Sequence, residues 1–405
     1  MSTPATQDKI LGLHHITAIA ASARKNVEFY TGVLGLRLVK KTVNFDDPGT
    51  YHLYFGDSTG TPGTILTFFP WEGTPQGRIG VGQVSAIGFN ISPESIDFWK
   101  ARLQARDVAV SIDQRFGETV IQFSDPDGLS LELVAVDRLP DIRPWETDTV
   151  PVRHAVHGFH SATALLRSAD ETERLLVGVL GMRKIGTEKD RSRFIMAGET
   201  AAGLYYDIVV TPQAGAARMG AGSVHHIAFR ARDDADQAGW QRAVAAHGLS
   251  VTPVQDRNYF RSIYFREAGG VLFEIATDPP GFTVDETVDA LGSHLMLPAW
   301  YEDRREEIEK RLPPIADPDL MHHVYIPPEE RARHLSTLVA LHGTGGDERD
   351  LLPLAEELGG PGRAVISPRG RRRAQRKRMA RKRPGDGDGS RCIVQRRTGR
   401  TSGRR

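Results

Sequence analysis

Histidine doublets occur three times in this 405-residue chain, as His14-His15, His225-His226 and His322-His323. With 14 histidines present such doublets arise easily, so none carries weight alone. Two of them open strand-like runs, LHHITAIA and VHHIAFRA, and a carboxylate, Glu274, sits in a third run, GGVLFEIATD. One imidazole from each doublet together with Glu274 would make a 2-His-1-carboxylate face, leaving coordination positions open for substrate and O2. That set favours non-haem Fe(II), with Mn(II) as the second choice. A closed structural zinc site would need a fourth protein ligand. Successive strand residues point to opposite faces, so only one His of each doublet should look toward the metal, and alternation does not say which. The other is free for acid–base work or for supporting its neighbour. The competing reading is two satisfied core histidines and a buried, paired Glu.

The elements that would position these residues form an internal repeat. LHHITAIA and the helix-like stretch ending GVLGLR return as FHSATALL and a stretch ending GVLGMR, at an offset of 146 residues. VSAIGFNI, Trp99 and DGLSLELVAVD return as VHHIAFRA, Trp240 and GGVLFEIATD, with Glu132 answering to Glu274 at an offset of 142. Four units, roughly 11–75, 80–140, 156–212 and 222–280, each read as strand, amphipathic helix and several strands. In the first helix Val27, Tyr30 and Leu34 recur at helical spacing, and Gly35 is placed to stop it. The doublets occupy the same position of modules one and four. Module two has Ser85-Ala86 there and module three His160-Ser161, so only one of two pseudo-equivalent barrels would keep a metal.

LHHITAIA, TVNFDDPGTYHLYFGDSTGTPGTILTFFP, VHHIAF and DRNYFRSIYFREAGGVLFEIATDPPGF resemble the ring-cleaving dioxygenases of the vicinal-oxygen-chelate superfamily, in the glyoxalase/bleomycin-resistance-like branch that acts on hydroquinones. The resemblance covers residues 10 to about 315. It implies an α+β fold of four βαβββ modules paired into two barrel-like half-shells, arranged as modules one and two over 11–140, a linker over 141–155, and modules three and four over 156–280. It implies one Fe(II) held by His15, His226 and Glu274. The groups that act around the metal map onto His14, Thr17, His225, Arg257 and Tyr264. The expected substrate is a small aromatic diol, hydroquinone- or catechol-like, with O2 as co-substrate; His14, His225 and Tyr264 are the candidates for moving protons. Arg257 would hold oxyanion charge or orient Tyr264. A homo-oligomer is expected. Alternatives on the same fold are a glyoxalase-type metal-dependent isomerase or transferase, which would want another carboxylate, and a metal-free protein that sequesters aromatics or drugs.

Downstream the repeat stops. Residues 1–10 read as a flexible N-terminus and 281–320 as a Pro- and Asp-rich connecting segment, within which YEDRREEIEKRL is a charged surface helix. LVALHGTGGDERDLLPLAEELGGPGRAVISPRG resembles the opening of an α/β-hydrolase of the carboxylesterase/phospholipase type, so 321–369 is expected to be a fragment of that fold. His342, Gly343 and Thr344 would lie in its oxyanion loop. No nucleophile elbow, acid or His follows, so no complete triad and no hydrolase activity are expected. The GDSTG run at 56–60 fits the nucleophile-elbow pattern but joins two strand-like runs, and it is read as a Gly-rich hairpin turn. GTGGDE at 343–348 lacks the Gly-Lys-Ser/Thr of a phosphate loop.

The net charge of +1 hides an uneven distribution. Residues 369–405 hold 16 Lys and Arg and 2 Asp, a charge of +14, leaving −13 for the rest. The basic stretch 370–405 is too polar to fold and is expected to be a disordered tail. It lacks aromatic interleaving or a binding fold, so nucleic acid is not an expected partner. A basic run that begins where a motif breaks off also has the composition of a shifted reading frame. The single Cys392 excludes an internal disulfide framework, and no apolar run is long enough to span a membrane, so a reducing cytoplasm is expected.

Overall fold

Each of the four modules folds as a strand, a helix and three further strands. Module one runs β1 (Leu13–Ala20), α1 (Ala23–Val27), which continues as a π-helix over Glu28–Val33, then β2 (Arg37–Asn44), β3 (Asp47–Gly56) and β4 (Ile65–Pro70). Module two is β5 (Gln83–Ile91), α2 (Ile96–Gln104), β6 (Ser111–Arg115), β7 (Glu118–Ser124) and β8 (Ser130–Ala135). Module three is β9 (Phe159–Leu166), α3 (Asp170–Gly178), β10 (Arg183–Glu188), β11 (Arg191–Ile195) and β12 (Tyr205–Val210). Module four is β13 (Val224–Ala231), α4 (Asp234–Ala246), β14 (Gln255–Asp256), β15 (Arg261–Arg266) and β16 (Leu272–Thr277). This computed structural model describes residues 9–198 and 202–315, with the backbone of three short strands beyond them.

The strands form two eight-stranded sheets, ordered β14-β15-β16-β13-β1-β4-β3-β2 and β10-β11-β12-β9-β5-β8-β7-β6. Modules one and four share the first, modules two and three the second. Segments 11–140 and 156–280 therefore each contribute one module to each sheet. The joins are antiparallel, β1 to β13 and β5 to β9, and each carries two bulges. In the first sheet Leu13 faces Phe229 and His15 faces Ala228, so His14 is the extra residue; Thr17 faces His226 and Ala18 faces Val224, so His225 is extra. In the second, Ser85 and His160 take the same places. A bulge re-aims the side chains beside it, so strict alternation does not govern the doublets.

The repeated GVLG run ends its helices with glycines in the left-handed region, Gly35 and Gly181, both at φ +68°. At Gly35 space forbids a side chain as well, since a Cβ would stand 2.8 Å from Val150 Cγ2. The repeated tryptophans, Trp99 and Trp240, are both buried. The GDSTG run connects the antiparallel β3 and β4, and Asp57 Oδ1 accepts from the backbone N–H groups of Thr59, Gly60 and Thr61.

Residues 281–314 close against module one. Lys40, fully buried on β2, reaches Asp285 at 2.6 Å and Glu286 at 2.5 Å, and Arg37 donates to the carbonyl oxygen of Val288. α5 (Arg305–Arg311) is charged and exposed apart from Ile308, which is buried, as is Leu312 beyond its end. Met1–Pro314 is one compact unit and Ile315–Arg405 a second. In the second unit, β17 (His323–Ile326) pairs antiparallel and β18 (Ser336–Val339) pairs parallel with β19 (Arg363–Pro368). His342, Gly343, Thr344, the 343–348 run and the basic stretch 370–405 lie outside the described residues.

Candidate metal centre

The joined strands β1, β13 and β16 bring the three expected ligands together on one face. Ala228 pairs with both His15 on β1 and Glu274 on β16, which sets the carboxylate two strands from the first imidazole. His15 Nε2 and His226 Nε2 are 3.3 Å apart, and they stand 3.3 and 2.9 Å from Glu274 Oε2. All three side chains are buried, at 2%, 6% and 0% exposure.

The short approaches are not a conventional hydrogen-bonded cluster. Glu274 Oε2 is left without a hydrogen-bond donor although both Nε2 atoms stand within 3.3 Å of it, and the two Nε2 atoms approach each other equally closely. Three lone-pair atoms thus converge on one small volume, all within 4.8 Å of one another. Such convergence is unfavourable without a cation at its centre, and one oxygen with two imidazole nitrogens suits a divalent transition metal. Burial pushes the Glu274 carboxyl upward, but the adjoining His15 and His226 outweigh it and hold the group well below the usual carboxylate range. Burial lowers His226. A neutral imidazole and an ionised carboxylate are the forms a metal needs.

The remaining expected residues surround this point. The bulges let each doublet bond to itself: His14 Nδ1 lies 2.9 Å from His15 Nδ1, and His225 Nδ1 2.8 Å from His226 Nδ1. The free Nδ1 of each ligand is thereby fixed by its neighbour, with Nε2 left for coordination. His225 is lowered to about 4, by burial and then by His226, so it is neutral at physiological pH. Tyr264 pairs directly with Glu274 across β15 and β16. Arg257 Nε donates to the Tyr264 hydroxyl at 3.2 Å, while its other nitrogens bond Gln255 and the exposed Asp46. Burial, then Glu274, raises Tyr264 far above the ordinary phenol range, so its proton stays on. Of the two roles expected for Arg257, the observed contact is the one to Tyr264. Thr17 faces His226 across the strand pair and is fully buried. A cavity of about 340 Å3 opens onto His225 and His226, walled by Trp71, Val84 and Met219.

Three residues that the sequence reading passed over belong to the same neighbourhood. Ser262 Oγ donates to Glu274 Oε1, leaving only Oε2 for a metal. Phe260 packs against both rings of the first doublet, with centroids 5.1 and 4.8 Å away. His52 on β3 is linked to Thr17 through Thr67. The available signal was period-two placement: Ser262 and Tyr264, like His52 and Tyr54, are polar-capable residues two apart that share a face of their strand.

Comparison with known proteins identifies the family. Residues 12–133 and 158–285 match the model of the Glyoxalase/Bleomycin resistance protein/Dioxygenase superfamily. The chain is 51% identical over 306 residues, 76% of its length and 97% of the relative's, to the Bacillus subtilis protein named "Putative ring-cleaving dioxygenase MhqO". It is 36% identical over 311 residues to the chlorohydroquinone/hydroquinone 1,2-dioxygenase of Sphingobium indicum, covering 74% of this chain and 95% of that one. A crystal structure from Bacillus subtilis superposes with a TM-score of 0.74 at 50% identity, covering 76% of this chain and 98% of the other. With two paired-module sheets, a family model spanning both and relatives aligned almost end to end, the chain belongs to the Glyoxalase/Bleomycin resistance protein/Dioxygenase superfamily.

Proposed function

We propose that the protein is an Fe(II)-dependent, extradiol-type dioxygenase that cleaves the ring of a hydroquinone- or catechol-like aromatic. The convergence of His15, His226 and Glu274 with an orphaned carboxylate oxygen carries the proposal. Support comes from relatives whose names specify ring cleavage and, in one case, hydroquinone. Iron bound there would supply an open site where a diol oxygen and O2 are held together, avoiding the poor direct reaction of O2 with a closed-shell ring.

The chain's own residues would do the rest. His14 and His225 hold the ligand rings through Nδ1, and neutral His225, accepting there from His226, has its Nε2–H to offer as a proton donor. Tyr264 accepts from Arg257 and so turns its own proton outward, making it a donor to an oxygen of the bound substrate. Permanently charged Arg257 keeps the phenol in that orientation. Val84, Met219 and Trp71 line the cavity beside His225 and His226 and would give an aromatic ring an apolar wall.

The test is anaerobic purification, iron analysis and O2 uptake with a panel of hydroquinones and catechols. Bound iron with uptake confined to such diols is expected. Lack of both across the panel would overturn the proposal.

A further inference from the structure

A line of hydrogen bonds crosses the first sheet from β3 to β1 and ends beside His226. Thr67 on β4 donates its hydroxyl proton to Thr17 Oγ1 at 2.9 Å. Having spent that proton, Thr67 Oγ1 is an acceptor toward His52 Nε2, 2.8 Å away. His52 Nε2 must then carry a hydrogen, and in a neutral ring Nδ1 must not. The other end of the line requires the same assignment. Tyr54, 1% exposed, has its hydroxyl 2.8 Å from His52 Nδ1 and no other acceptor for its proton among the described residues. Burial, then neighbouring Tyr259 and Tyr264, keeps the Tyr54 phenol protonated, and burial with the nearby His15 and His226 keeps His52 neutral.

We infer that Tyr54, His52 and Thr67 form a one-directional hydrogen-bond relay that orients the Thr17 hydroxyl, so that its proton is presented to an oxygen bound beside His226. Each bond runs the same way: Tyr54 O–H to His52 Nδ1, His52 Nε2–H to Thr67, Thr67 O–H to Thr17. Thr17 accepts from Thr67, so its lone-pair side is occupied and its own proton has no protein acceptor among the described residues. The register places Thr17 opposite His226 and Thr67 opposite Thr17, so the relay reaches the candidate metal centre through β4 and β1, whereas Glu274 is carried by β16 on the other side of β13. Phe69 packs against His52 at a tilt of 45°, with 4.4 Å between centroids, and limits rotation of the imidazole. Tyr54, His52 and Thr67 are positioning residues that act through Thr17, and bonds in such a chain polarise one another. The role of the Thr17 proton rests on the proposed dioxygenase function; the direction of the relay does not.

The experiment reads the two separately. In full-length protein labelled with 15N-histidine and loaded with diamagnetic zinc, the ring nitrogens of His52 should report the Nε2–H tautomer; the Nδ1–H tautomer would overturn the relay whatever the substrate proves to be. In the iron-loaded enzyme, Thr67→Val should lower kcat about 10- to 100-fold with KM and iron content little changed, as outer partners of a metal site do. Thr67→Ser, which keeps the hydroxyl, should restore it, and Thr17→Val combined with Thr67→Val should be no worse than Thr17→Val alone. Additive losses, or failure of the serine variant to rescue a folded protein, would refute the inference.

Discussion

Replacing Glu274 by Gln changes one atom and removes the charge, and the structure specifies where the new group must go. Oε1 accepts from Ser262 Oγ, so the Gln carbonyl oxygen takes that position and the NH2 falls where Oε2 stood, 3.3 and 2.9 Å from the two imidazole Nε2 atoms. There it donates to the lone pairs that should bind metal and offers none of its own. Outer partners of a metal site are worth about 10- to 100-fold in affinity, so loss of an anionic ligand should cost at least about 100-fold. At a metal concentration of about 100 Kd the wild-type protein gains roughly 2.7 kcal/mol of stability, and the variant, at about its own Kd, roughly 0.4. For a unit of this size that is a metal-induced rise in Tm of about 5 °C reduced to about 1 °C or less. The assay is anaerobic thermal unfolding with and without Fe(II), with iron analysis after desalting. A Gln variant that keeps the full metal-induced shift would show that Glu274 is not a ligand and that the triad is misassigned.

Three other outcomes follow from the same contacts. Ser262→Ala frees Oε1 and lets the carboxylate rotate, so iron affinity should fall about 10- to 100-fold in a dialysis titration while secondary structure is kept. Lys40→Met leaves Glu286 buried without its cation and should cost about 3–5 kcal/mol in denaturant unfolding; adding Glu286→Gln should recover part of it, and an unaltered midpoint would mean that the pair contributes nothing. A chain ended after residue 314 should keep the iron content and O2 uptake of the whole, since Met1–Pro314 is compact by itself and the curated relatives align over 306 and 311 residues; loss of activity in a folded truncation would place part of the site in the second unit.

The two doublets and Glu274 were legible in sequence because duplication supplied an internal control: His14-His15 and His225-His226 stood out against Ser85-Ala86 and His160-Ser161 at equivalent positions. The choice of His15 and His226 within the doublets came only from the family resemblance. The bulges were not legible. They follow from the register of β1 on β13, in which His14 and His225 are the extra residues, and no glycine marks them. Ser262 and His52 escaped notice for a related cause: their roles depend on partners on neighbouring strands, and nothing local distinguishes a serine that supports a ligand from one that fills a gap. Lys40 sits in RLVKKTV beside a second lysine, and its burial is understandable only once Asp285 and Glu286, some 245 residues on, are placed over it.

The second sheet indicates what the first would require in the absence of metal. Glu132 pairs with Gly88 as Glu274 pairs with Ala228, and it is equally buried, yet Arg115 Nη2 stands 2.7 Å from it. Nearby, Asp207 and Glu118 share Arg193, and Glu118 also meets His160. Every carboxylate of that buried group is balanced by a guanidinium from the chain. Glu274 has no such partner: among the described residues only two imidazoles reach ion-pair distance, and both are needed as neutral ligands. A buried carboxylate that is ionised must be compensated by positive charge. In one copy of the duplicated fold the chain provides it; in the other, the residues leave room for a cation from outside, which is the property expected of a site that binds a metal.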